Sequence, residues 1–227
     1  MSWDFFLGLF PQLVDSFWIT LSLWLLSSLI GLLVATGIAV MSVSKQLPIR
    51  WIALGFITTI RGTPLLVQIY ILYYGVGNLI AQVPGIRSSF MWPILRDGYW
   101  YALLALIISC AAYSGEILRG AIMNVPKGEI EAAKSLGLSK THMWRLIILP
   151  RAYRIGLPSL GGESIILLKA TVLASTITVM DLLGMANYIR MQTFKIYEPL
   201  LAVAIVYVLL TFILTRGVAL LERRYQY

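Results

Sequence analysis

FWITLSLWLLSSLIGLLVATGIAVMSV, residues 17–43, carries no ionisable side chain. A bilayer core takes about 20 largely apolar residues per helical crossing, so this stretch spans one with turns to spare. The rest of the chain agrees with that solvent. Of 227 residues, 59% are hydrophobic and 12% charged, with mean hydropathy +0.83, far from the balance of a water-soluble domain. Five apolar windows stand out, at 14–42, 63–80, 99–118, 155–172 and 199–221. They are separated by charged or Pro/Gly-bearing stretches with no long linker, repeat or low-complexity tract. The expectation is an all-α integral membrane protein of about five transmembrane helices, with residues 1–227 forming a single domain.

The start, Met1-Ser2-Trp3-Asp4, lacks the basic residues that open a cleaved secretory signal, and it is expected to be retained. Cys110 is the only cysteine and lies in an apolar run, which excludes an intrachain disulfide and assigns it to packing. His142, the only histidine, has no cysteine, second histidine or paired carboxylate at ligand spacing, so no metal site is expected. Trp3, Trp18, Trp92, Trp100 and Tyr101 fall near the window ends, where amphipathic rings anchor at the headgroups.

Lys and Arg decide the orientation. With five crossings and the amino terminus outside, 13 of the 18 basic residues fall on the cytoplasmic side and four outside, while Lys169 lies within a span. This is the positive-inside pattern. The same distribution explains the net charge of +8 without a nucleic-acid surface, which would gather basic residues on one soluble face. Anionic headgroups are the partner these residues meet.

The loop of about 123–152 contains PKGEIEAAKSLGLSKTHMWRLIILPRA, residues 126–152. It is too polar to cross a membrane and too regular for a linker. Glu129 to Leu136 reads as a short helix, with Gly137 at its left-handed C-terminal turn. Ser139 is placed to cap a second helix, Lys140 to Leu149, which Pro150 limits. Ala132 and Ala133 leave the first helix nearly bare of side chain, open to close approach by another surface. On the residues alone, the elbow either docks a partner or lies on the membrane as a basic amphipathic segment.

Glu131-Ala132-Ala133, then Gly137, Ile147, Leu149 and Pro150, resembles the EAA motif of permease subunits in ABC importers. The stretches RGTPLLVQIYILYYG (61–75), YSGEILRGAI (113–122) and LKATVLASTITVMDLLG (168–184) resemble blocks of the polar amino-acid permeases. Among these the chain looks most like the permeases for histidine, lysine, arginine and ornithine and for opines. The resemblance implies the type I importer permease fold. It makes the first elbow helix a coupling helix, with Glu131, Ala132, Ala133, Gly137 and Leu138 at the ATPase contact. It also implies two ATPase subunits using ATP and Mg, a second permease subunit, more readily a paralogue than an identical copy, and a periplasmic or lipid-anchored binding protein in the inner membrane of a bacterium. The chain itself lacks Gly-x4-Gly-Lys-Ser/Thr, so no phosphate-cradling loop makes it the motor, and it is expected to bind no cofactor of its own.

Ionisable groups at bilayer depth usually face a cavity or the bundle interior. Glu163, with Ser164 beside it, follows Pro158, Gly161 and Gly162, a run that suggests an irregular, water-lined wall. Its carboxylate can meet a cationic substrate or a protein cation. Several related permeases carry Asn where this chain has Gly162, which leaves room for a larger substrate. Lys169 lies about 240° around the helix from Glu163, so it either snorkels outward or meets Asp181. Arg61 precedes Gly62-Thr63-Pro64, where Thr63 is expected to cap a helix that Pro64 begins; it faces the cavity mouth, the headgroups or a structural ion pair. Gln68 reads as a substrate-pathway wall residue. Glu116 and Arg119, three apart, read as a local ion pair that anchors the third span to the loop. A membrane-embedded enzyme would need convergent nucleophile, base or metal groups, which the isolated ionisable residues do not supply. A passive channel or scaffold would leave the EAA pattern without a use.

Overall fold

The computed structural model describes residues 3–225, and the elements among them are helical. The first residues, Met1 and Ser2, and the side chain of Trp3 lie outside the described part. Helix α1 (Trp3–Ser42) contains the opening apolar window, and Leu13–Ser42 is long and apolar enough to cross a bilayer. Helix α2 (Leu47–Arg61) leads through a sharp corner to α3 (Leu65–Tyr70), a π-helical turn (Ile71–Val76) and α4 (Gly77–Ala81). A 3-10 turn (Ile86–Ser88) and α5 (Trp92–Leu95) then lead to the central α6 (Gly98–Met123).

The elbow helices α7 (Lys127–Ser135) and α8 (Lys140–Met143) follow, then a second π turn (Trp144–Ile148) and α9 (Leu149–Ala170). A 3-10 segment (Thr171–Ile177), α10 (Leu182–Thr193) and α11 (Tyr197–Tyr225) complete the chain.

Helix α6 is the hub because its side chains are small where other helices press on it. Ala102, Ala105, Ser109, Cys110, Ala111, Ala112, Ser114 and Gly115 are all buried. Without a hydrophobic drive between helices in lipid, such residues let backbones approach for dispersion contact. Helix α1 packs along α6, and a Cβ placed on Gly31 would lie 2.6 Å from the Cys110 Cβ. Cys110 is therefore a packing residue, free and buried.

Four helical runs are long and apolar enough to cross, with a fifth possible if one bent pair counts as a span. That pair corrects the second window. Residues 63–80 form only its second limb; the first, Leu47–Arg61, meets Leu65–Ala81 at 101°. Thr63 does not cap the second limb as expected. Its hydroxyl donates back to the Thr59 and Ile60 carbonyls at 3.0 and 3.3 Å, closing α2, while Pro64 stands at the N-cap of α3 without a side-chain cap.

Pro150 does not end the second elbow helix either. The π turn at Trp144–Ile148 widens the helix just ahead of it, and helical structure continues from Lys140 to Ile177. A π turn accommodates the clash and the lost N–H that make proline a breaker in a regular helix. The wall at Glu163 is correspondingly regular: α9 passes through Pro158, Gly161 and Gly162 unbroken. Neighbouring helices hold such residues in place; a Cβ on Gly161 would strike Val218 of α11.

Irregular backbone occurs after α9 instead, and polar side chains close it. Asp181, wholly buried, caps α10 by accepting from the Gly184 N–H at 2.9 Å, and the Leu182 N–H donates to the Thr20 hydroxyl at 3.1 Å. The possible Lys169–Asp181 pair is therefore not formed; Lys169 is exposed. Trp18 and Trp100 are exposed rings suited to an interface, but Tyr101 is 7% exposed, and its hydroxyl donates to the Leu95 carbonyl at 2.7 Å. It belongs to the core.

Gly31→Leu is expected to force α1 off α6 and to lower stability by about 1–3 kcal/mol, the usual range for overpacking. Cys110→Gly in the same chain should recover part of it. Thermal unfolding of the purified protein in detergent measures both.

Candidate functional site

Two regions gather the polar residues singled out above. The first is the elbow. Helix α7 ends in a Schellman motif: the Gly137 N–H donates to the Lys134 carbonyl at 2.9 Å and the Leu138 N–H to that of Ala133 at 3.2 Å. Gly137 makes this possible with φ +71, a conformation that costs a residue bearing a Cβ. Ser139 caps α8, accepting from the His142 N–H at 3.4 Å, while its hydroxyl also meets His142 Nδ1 at 2.8 Å. The elbow is tied to the span by Arg151 and Glu129, 3.1 Å apart and half exposed. The larger tie is apolar: Ala133, Met143, Ile148 and Ala152 share a core with Ala35, Ala39, Leu118 and Ile122.

That core corrects one residue of the expected contact surface. Ala133 is 2% exposed and packed inward, whereas Glu131, Ala132 and Gly137 are open and Leu138 is partly so. Successive helical positions turn by about 100°, so Ala132 and Ala133 cannot both face outward. Leu136, at the tip of the elbow, is 80% exposed.

The second region comprises Glu163 on α9, which packs against α6, and a cavity between α2 and α6. Glu163 is 9% exposed. Among the described residues its carboxylate joins no ion pair. The Arg61 guanidinium carbon sits 5.3 Å from the centroid of the Tyr113 ring, within the range of a cation–π contact. A cavity of about 440 Å³ is lined by Leu54, Ile57, Thr58 and Arg61 of α2 and by Tyr113, Glu116 and Arg119 of α6. Glu116 and Arg119 form the expected local pair, joined at 2.6 and 2.8 Å in a two-pronged bridge. Such forked pairing fixes both side chains.

Ser164 and Gln68 are placed elsewhere. The Ser164 hydroxyl and carbonyl both accept from Trp24 Nε1, at 3.2 and 3.0 Å, which ties α9 to α1. Gln68 turns its amide nitrogen into the α2–α3 corner, donating to the Ile60 carbonyl at 2.9 Å and to the Thr63 carbonyl and hydroxyl at 3.1 and 3.0 Å. Its amide thus satisfies carbonyls left over at the end of α2.

Comparison with known proteins fits this architecture. Residues 27–227 match the family described as the binding-protein-dependent transport system inner membrane component. The chain belongs to that family. The permease is 42% identical over 217 residues to the octopine transport system permease protein OccM of Rhizobium radiobacter, covering 94% of this chain and 85% of the relative. It is 39% identical over 210 residues to the histidine/lysine/arginine/ornithine transport system permease protein HisM of Salmonella typhimurium, covering 91% and 88%. Its fold matches a chain from the crystal structure of an amino acid ABC transporter with histidines at TM-score 0.83 and 32% identity, over 99% of both chains. The permease is therefore an ABC importer subunit of the inner membrane, and not itself an ATPase.

Residue reading of the permease sequence passed over two side chains. Tyr113 lies three residues before Glu116 and six before Arg119, a spacing that places all three on one face of α6 and was available as a signal. Leu136 had only its position next to Gly137 to mark it.

No neighbour lies within 4 Å of a Cβ at Gly137, so conformation decides: Gly137→Val should destabilise the elbow by about 1–2 kcal/mol, the penalty for the left-handed conformation, whereas Gly137→Asn should cost less because asparagine adopts that conformation more readily. Hydrogen exchange at Gly137 and Leu138 reads the difference, being fastest in the valine variant.

Proposed function

We propose that this permease forms half of the translocation pathway of an importer for cationic amino acids or opines, and that Glu163 receives the cationic group. The observation that carries the reading is a carboxylate, almost buried near the middle of the bundle, that no protein cation occupies by direct contact. A charge at that depth is retained where a ligand or water-lined path uses it. Relatives whose names specify octopine, histidine, lysine, arginine and ornithine support a substrate bearing a guanidinium, ammonium or imidazole. Gly162 beside it is exposed and open, with nothing within 4 Å of a Cβ, which suits a bulky ligand.

The rest of the machine follows from what this chain lacks. One bundle of this size encloses no path, so a second permease subunit, a paralogue, completes it. Two ATPase subunits hydrolyse ATP with Mg and engage the open face of α7 through Glu131, Ala132 and Gly137, with the exposed Leu136 as an apolar knob and Leu138 at the edge. A periplasmic or lipid-anchored binding protein delivers substrate. The distribution of basic residues supports an orientation with the elbow and carboxyl terminus in the cytoplasm and the amino terminus outside.

Glu131→Lys and Leu136→Asp are each expected to reduce binding-protein-stimulated ATP hydrolysis by the assembled complex about tenfold or more, the scale of losing one charged or apolar anchor, with membrane insertion unchanged. Full stimulation in both variants would remove the docking role.

Glu163→Gln should depress uptake of L-arginine about 10- to 100-fold, the size of one lost charge-assisted hydrogen bond, while neutral substrates and the unfolding temperature stay near wild type. A uniform loss for all substrates with lowered thermal stability would instead assign Glu163 to a structural pair.

A further inference from the structure

The cavity between α2 and α6 gathers three charged side chains, and their charges do not balance. Arg61, Glu116 and Arg119 all line its space of about 440 Å³. Glu116 gives both carboxylate oxygens to Arg119, at 2.6 and 2.8 Å, which leaves Arg61 as the cation in excess. Among the described residues Arg61 forms no ion pair. Its guanidinium carbon sits 5.3 Å from the centroid of the Tyr113 ring. A cation–π seat holds a guanidinium by its charge and leaves its N–H fork unspent. That fork matches a carboxylate or phosphate, to which it donates two parallel hydrogen bonds.

Depth decides between the two anions. Helix α6 runs from Gly98 to Met123 at the elbow, a length of about 39 Å against a hydrocarbon core of about 30 Å. Tyr113 lies ten residues before that end, about 15 Å along the axis. With α6 centred on the core, the Tyr113 end of the cavity is therefore about 10 Å inside the hydrocarbon layer, out of reach of headgroup phosphates. Charges at such depth face protein or a water-filled space, and Arg61 and Thr58 are exposed. A solute in water that brings a carboxylate fits this lining, and every amino acid and opine carries one.

The seat is also fixed in place. Arg61 ends α2, where the Gln68 amide donates to the preceding Ile60 carbonyl at 2.9 Å, and Tyr113 belongs to the central helix.

We propose that the α2–α6 cavity is a carboxylate-binding station of the translocation path, at which Arg61 receives the carboxylate of the solute in transit. The Glu116–Arg119 bridge serves the station by keeping the cavity's own carboxylate off Arg61. The proposal rests on the reading of this permease as half of a path for amino acids or opines, and it does not depend on Glu163.

The test uses the assembled permease–ATPase complex in lipid nanodiscs, with equilibrium binding of L-arginine and of agmatine, which is L-arginine without its carboxylate. Arg61→Gln is expected to weaken L-arginine binding about tenfold, the scale of one charge-assisted hydrogen bond, and to leave agmatine within about twofold. Arg61→Lys, which keeps the charge and loses the fork, should fall between. Thr58→Cys in a Cys110→Ala background reads access to the cavity directly. The anionic reagent methanethiosulfonate ethylsulfonate should modify it, measured by mass on the permease subunit. L-arginine should slow that reaction and agmatine should not, and Arg61→Gln should abolish the protection.

Equal weakening of both ligands with a lowered unfolding temperature assigns Arg61 to the fold and overturns the proposal. So does a Thr58→Cys that the reagent does not reach, that L-arginine fails to protect, or that added phosphatidylglycerol protects instead, the last marking a lipid site. The functional reading fails differently. If the wild-type complex with its binding protein takes up no L-arginine, L-histidine or octopine in proteoliposomes, that reading falls and takes this one with it. If uptake is normal and Arg61→Gln leaves L-arginine binding unchanged, only the carboxylate station falls.

Discussion

Lipid offers no partner to a backbone N–H or C=O, and every irregular feature of this permease answers to that constraint. Within helices the groups pair along the chain. Where helices break, side chains supply the missing partners. Gln68 and Thr63 close the end of α2 at the 101° corner. Asp181 and Thr20 satisfy N–H groups at the start of α10 after a 3-10 segment and the left-handed Thr178. Of these, Gln68 reads from sequence as a candidate for substrate contact because polarity in an apolar segment usually marks function. Some of that polarity belongs to the backbone.

Once those backbone tasks are subtracted, the polar side chains that remain near the middle of the bundle form a short list. Glu116 and Arg119 satisfy each other, and Ser164 serves Trp24. Glu163 is left without an ion pair among the described residues, while Arg61 rests on the Tyr113 ring. The elbow has the complementary design. Its inner face, with Ala133 and Met143, shares one apolar core with α1, α6 and α9.

The sequence by itself determined that this is a helical membrane protein, where four of its spans run, that it carries an elbow with a turn at Gly137, and, through the EAA pattern, which family it belongs to. Those are local properties: apolar length against bilayer thickness, the conformational freedom of glycine and the capping chemistry of serine act within a few residues and need no knowledge of the fold. Tertiary structure alone decided that 63–80 is half of a bent pair, that Pro150 lies inside a continuous helical run, that Ala133 faces inward, that Gln68 turns to the backbone, and that Arg61 rests on the Tyr113 ring. Each depends on which surface a helix presents to its neighbours and on the packing of small residues such as Gly31 against Cys110. Such facts arise between segments distant in sequence, where no local pattern records them.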